Sequence, residues 1–154
     1  VSQSTAVKKL YLEDLTPGLT VTTGSYAFSE AEIIGFAEKY DPQPFHTDPE
    51  AAKASLFQGL AASGWHTAAI TMRLLVTHGT LFGDGAIGLG CEISWPKPVR
   101  AGDMLQVTSE VLDVRPSQSK PNQGLVTVRS TTLNQHGEPV QIMTSKIIAY
   151  RRPL

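Results

Sequence analysis

Ser63-Gly64-Trp65-His66-Thr67-Ala68-Ala69-Ile70-Thr71-Met72-Arg73-Leu74-Leu75-Val76 sets the architecture expected of this chain. Ser63 stands where a helix cap belongs, and Trp65, Ala68, Ala69, Met72, Leu75 and Val76 follow at helical spacing. The first two turns hold Gly64, Thr67, Ala68, Ala69 and Thr71. Side chains this small let other backbone come close, which suits a helix seated deep against a sheet. A helix that simply carries little bulk reads the same way.

Before this segment lie two shorter helices. Ser29-Glu30-Ala31-Glu32 fits a capping box, with Ser29 accepting from the Glu32 amide and Glu32 reaching back. Ile33, Ile34, Phe36 and Ala37 continue it as an amphipathic helix. It must end near Tyr40, because Pro42 and Pro44 push Asp41 and Gln43 out of helical dihedrals. Asp48-Pro49-Glu50 then supplies a cap, a first-turn proline and an acid suited to the helix dipole, predicting a helix from Pro49 to Ser55. Gln58 to Ser63 reads as a turn or approach segment.

After a turn-rich run from Gly79 to Gly85 the period changes to that of strands. Ile87 to Trp95 alternates loosely and Leu105 to Val111 cleanly, while Leu125 to Thr131 and Val140 to Tyr150 are β-rich. Turn segments at Arg115 to Gly124 and Asn134 to Pro139 make successive hairpins, hence an antiparallel sheet. With Val21 to Phe28 as an early strand, the class is α+β: a curved antiparallel sheet with one long helix packed on it. One domain is expected over residues 1–154, with its core over about 20–151.

Composition excludes several functions. With 154 residues, 41% hydrophobic and 18% charged, the chain can bury a core without staples and is too apolar for disorder. Its 13 Lys+Arg against 14 Asp+Glu give a net charge of -1, which argues against nucleic acid held by bulk positive charge. Cys91 is the single cysteine, so neither an intrachain disulfide nor a cysteine metal cage can form. The four histidines are scattered, without the spacing of a metal cluster. No apolar run approaches the ~20 residues of a membrane span, and Val1 to Leu10 does not read as a secretory signal. A cytoplasmic protein without a membrane partner is expected.

The run that can carry chemistry is Tyr40-Asp41-Pro42-Gln43-Pro44-Phe45-His46-Thr47-Asp48. On an extended strand Asp41 and His46 would face opposite sides and stand roughly 16 Å apart. A curled loop, stiffened by Pro42 and Pro44, brings them together. A carboxylate and an imidazole aimed at one point can hold a water and take its proton. The plainer alternative is that Asp41 brackets a turn and His46 packs.

This run, together with Gly59-Leu60-Ala61-Ala62-Ser63-Gly64-Trp65, resembles the hydratase signature of the MaoC-like family, which includes the (R)-specific enoyl-CoA hydratases. The family pattern is Asp, a variable residue, Asn, Pro, an aliphatic residue, His, a variable residue and Asp. Farther on, Pro98-Val99-Arg100-Ala101-Gly102-Asp103-Met104-Leu105 resembles the family's turn after a strand. The similarity spans about Phe28 to Tyr150. It implies a hot-dog fold, a long central helix wrapped by an antiparallel sheet, with Asp41 and His46 as the catalytic pair. It further implies that water adds to C3 of a 2-enoyl thioester, expected to be that of coenzyme A, with a proton delivered to C2. The implied reaction is reversible and needs no metal or redox cofactor. The resemblance also implies a homodimer, because hot-dog sheets pair side by side and free edge strands benefit from pairing.

Gly64 is the family-matched position for a backbone N–H that holds the thioester carbonyl. Free amides and a positive dipole end meet at a helix start, so the role is physically sensible. A tight helix–strand contact is the other reason for a glycine there. Two residues depart from the pattern: Gln43 stands where Asn is common, so the loop's internal hydrogen bonds must differ, and Phe45 replaces an aliphatic residue and is expected to narrow the pocket beside His46. The field at the end of the preceding helix is expected to raise the Asp41 pKa, leaving neutral His46 as the better water base.

His66 reads as a packed helix residue, with pocket lining the alternative. His78 and His136 read as solvated loop residues, and Cys91 as packed in a strand. Lys97, Arg100, Lys120, Arg151 and Arg152 are the cations available for coenzyme A phosphates, with nothing in the spacing to choose among them. The rival functions are a hot-dog thioesterase and a non-catalytic acyl-thioester binder.

Overall fold

The computed structural model of the chain describes residues 9–78 and 85–154. Most of the Gly79 to Gly85 turn therefore lies outside the described residues. Five strands form: Thr20–Ala27 (β1), Ile87–Ser94 (β2), Met104–Pro116 (β3), Gln123–Leu133 (β4) and Pro139–Tyr150 (β5). They make one antiparallel sheet in the order β1-β3-β4-β5-β2, with β1 and β2 at its edges. The β3–β4 ladder continues to the pair Pro116↔Gly124, so the predicted turn contracts to residues 117–122. Ser29 caps helix Glu30–Tyr40 (α1) by accepting from the Glu32 amide at 3.1 Å. The reciprocal half of the box does not form: the Glu32 carboxylate instead accepts from the Tyr26 hydroxyl at 2.8 Å, tying α1 to β1.

The long helix Gly64–His78 (α4) lies against β1, β3 and β5. Of its small residues Thr67 and Thr71 are buried, Gly64 and Ala68 are half-buried and Ala69 is exposed. Leu74 is buried with the two threonines, and Ser109, Ser130, Thr132 and Gln141 are buried on the sheet. Hydroxyls taken from water need partners: Thr71 bonds Thr132 at 2.7 Å and Ser109 bonds Ser130 at 2.8 Å, whereas the buried Gln141 Nε2 has no hydrogen-bond partner among the described residues. Two apolar clusters complete the core. One joins Leu12 and Leu15 to Val111, Val126, Val128 and Ala149, so packing begins before residue 20, on a 3₁₀ turn at Leu12–Asp14. The other gathers Phe28, Ile33, Ala62, Val99, Leu105 and Val140 beneath the start of α4. Burying each large side chain there stabilises the fold by about 1.5–3 kcal/mol. Among the described residues, no helix is long and apolar enough to cross a membrane.

Candidate active site

Asp41 closes α1, its amide donating to the Ala37 carbonyl at 2.9 Å. The chain does not then run on as an open loop. Residues Pro44–Thr47 form a single helical turn (α2), with Gln43 at its cap and Pro44 at the first position, where a missing N–H costs nothing. The Gln43 carbonyl accepts from the amides of His46 (2.9 Å) and Thr47 (3.2 Å). This turn swings His46 back over Asp41, placing Nε2 3.5 Å from Oδ2. Asp48 ends α2 and caps the next helix, Pro49–Lys53 (α3), accepting from the amides of Glu50 and Ala51.

Both side chains are held from behind. The Nδ1 of buried His46 is 2.6 Å from the Ala61 carbonyl, which can only accept, so Nδ1 donates and Nε2 is the ring nitrogen that faces Asp41. Asp41 Oδ1 accepts from Gln43 Nε2 at 2.7 Å, and Oδ2 accepts from Ser63 Oγ at 2.6 Å. Burial works to raise the Asp41 pKa, but the bonds from Ser63 and Gln43 and the neighbouring His46 outweigh it, holding the carboxyl below its usual range. The expected upward shift from the helix end is thus reversed by local donors. The pair thus sets a carboxylate oxygen against the Nε2 of an imidazole whose other nitrogen is already engaged, an arrangement suited to general acid–base chemistry. Phe45 packs edge-on against the imidazole at 4.6 Å between centroids, and Phe57 lies tilted to it at 5.9 Å.

Ser63 joins this pair to the start of α4. Its hydroxyl accepts from the Trp65 amide at 3.3 Å as a cap while donating to Asp41. Gly64 is the first helical residue, so its N–H has no acceptor within the helix. A tight contact with the strand side is also present. A Cβ at position 64 would stand 2.6, 2.8 and 2.9 Å from three carbons of the Trp95 indole, whose Nε1 donates to Gln141 at 2.9 Å.

The other singled-out residues lie apart from this pair. His66 is buried, stacked on Phe36 and tilted against Phe28, each at 4.6 Å, and burial pushes its pKa down while Glu32 opposes the shift. His78 is exposed as expected but ends α4 rather than lying in a loop, and His136 is exposed in the turn between β4 and β5. Cys91 is exposed on the edge strand β2, not packed, because no residue of β2 is covered by the rest of the chain well enough to be buried. Of the cations, Lys97 pairs with Glu138, Arg151 with Glu13 and Arg152 with Asp14. Gln43, Ser63 and the Ala61 carbonyl are the orienting groups that sequence reasoning did not assign. Ser63 had one signal, its cap position, and that position reports only its bond to Trp65.

A long helix laid on a five-stranded antiparallel sheet is the hot-dog arrangement, and here a carboxylate and an imidazole are paired beside the helix start. Residues 13–134 match the MaoC like domain, and the chain belongs to that family. It is similar to the crystal structure of a MaoC-like dehydratase from Rhodospirillum rubrum, with 55% identity and a TM-score of 0.92 over 94% of this chain and 99% of that one. It is 37% identical over 127 residues to the uncharacterized protein YdeM of Bacillus subtilis, covering 80% of this chain and 87% of YdeM. It is 32% identical over 115 residues to a 3-hydroxybutyryl-CoA dehydratase of Methylorubrum extorquens, covering 74% of this chain and 71% of the relative.

Proposed function

We propose that this chain is a hydro-lyase that adds water across the C2=C3 bond of a 2-enoyl thioester of coenzyme A, and also runs the reverse dehydration. The observation that carries the reading is the facing of His46 Nε2 and Asp41 Oδ2 at 3.5 Å, with Nδ1 held at 2.6 Å by a carbonyl. In this reading a water donates one hydrogen to each acceptor. His46 takes a proton as the water oxygen bonds to C3, and electrons move onto the thioester oxygen. The Gly64 N–H stabilises that enolate-like charge. The proton, shared between His46 and Asp41, is then returned to C2, so the elements of water are added and nothing is left over. Gln43 and Ser63 keep the carboxylate aimed. The relative named 3-hydroxybutyryl-CoA dehydratase supports the choice of thioester. Asp41→Asn and His46→Gln should each lower kcat for hydration by at least ~10²-fold, the usual contribution of a positioned acid–base group. Both should keep the wild-type circular dichroism spectrum. Near-native turnover by either folded variant contradicts the assignment.

We also propose that the working molecule is a homodimer joined through β2. This edge strand is exposed along almost its whole length, with Ile87 49% and Leu89 62% accessible. Trp65, Met72 and Val76 leave an apolar strip uncovered on α4. A second copy, pairing β2 with β2 about a two-fold axis, satisfies the open ladder and gives apolar surface a cover.

A further inference from the structure

Arg100 does not behave as a surface cation. Among the described residues it joins no ion pair. Its Nη1 donates to the carbonyls of Gly59 (2.8 Å) and Leu60 (3.1 Å), and its Nη2 to that of Phe57. Carbonyl oxygens crowded together repel unless a donor gathers them, and a planar guanidinium suits that task. Its own root is fixed. The Arg100 amide donates to Asp103 Oδ2 at 2.8 Å, in a turn that needs glycine at position 102, where φ is 87°. The Gly102 amide in turn donates to the Phe28 carbonyl at 2.8 Å.

The gathered segment leads straight to the imidazole. Gln58 sits at φ 55°, a conformation that a non-glycine residue holds only when its surroundings impose it. Ala61 follows, its amide donating to the Phe45 carbonyl at 3.1 Å and its carbonyl 2.6 Å from His46 Nδ1. We infer that Arg100 is a positioning residue: by gathering the carbonyls of Phe57, Gly59 and Leu60 it holds the Ala61 carbonyl where that oxygen selects the His46 tautomer. The consequence for turnover rests on the hydratase reading; the consequence for the tautomer does not.

The test is nitrogen-15 NMR of the imidazole, with hydration kinetics on crotonyl-CoA, for wild type, Arg100→Met and Arg100→Lys. Wild type should show His46 protonated at Nδ1. Arg100→Met should show a mixture of tautomers and a kcat lower by about 10- to 100-fold, with KM little changed. Arg100→Lys, which keeps the charge but not the fork, should lie between the two. Should the methionine variant fail to fold, the lysine variant alone decides. A wild-type tautomer and kcat in the folded variants overturns the inference. A tautomer shift in a protein that hydrates no enoyl thioester supports Arg100 while removing the hydratase reading.

Discussion

Asp41 is held by donors from two directions, Gln43 two residues away in sequence and Ser63 twenty-two away. That difference explains what could be read in advance. Asp41 and His46 are recognisable because residue types able to move protons lie in one proline-braced run, and because that run resembles a known signature. The second bond of Ser63 has no local signal, since it exists only once α4 packs beside α1. A hydrogen bond to a charged group contributes about 1.5–3 kcal/mol to stability, so Ser63→Ala should lower the thermal midpoint, and kcat should fall with it because the carboxylate loses a donor that aims it. It should also change the pH dependence. The Asp41 carboxyl is depressed in the folded protein, so its ionised form and the stability linked to it persist above its unfolded pKa and are lost as pH falls through the folded value. Without Ser63 the folded pKa rises, and the acid-side loss in a pH–kcat/KM profile should begin at higher pH. An unmoved acid limb would mean that Ser63 does not govern the carboxylate.

At the scale of elements, α4 and the strands were legible because each is long enough to show its period, 15 residues for α4 and 8 to 13 for the strands. Helix α2 was not, because its 4 residues complete barely one turn and display no repeat. Its start signal, proline after a residue pushed to extended dihedrals, was present at Gln43-Pro44 but read only as stiffness. Strand lengths were underestimated because β3 and β4 extend each other's ladder beyond their alternating apolar residues. The junction of α4 with Trp95 yields a further expectation. Gly64→Ala pushes a methyl group into the indole, and overpacking of this kind costs about 1–3 kcal/mol, so the thermal midpoint should fall. In a Trp95→Ala background the same substitution should cost much less, as contacting residues do not add independently. Equal midpoints for wild type and Gly64→Ala would show that the indole is not seated there in solution.

For the molecule as a whole, the apolar strip on β2 and α4 predicts self-association. The 16.6 kDa chain should sediment as a particle of twice that mass, and Leu89→Lys should shift it towards the monomer by placing a charge on the shared edge. A wild-type protein that sediments as a monomer at all concentrations would remove the dimer. Fold and family do not distinguish hydration from hydrolysis, since a thioesterase can share the same sheet and helix. The distinction lies in which bond of the substrate changes. Crotonyl-CoA incubated with the wild-type protein, and followed at once for enoyl absorbance and for free thiol, should lose absorbance while releasing no thiol. Released thiol, or an enoyl band that the protein leaves untouched, would contradict the account.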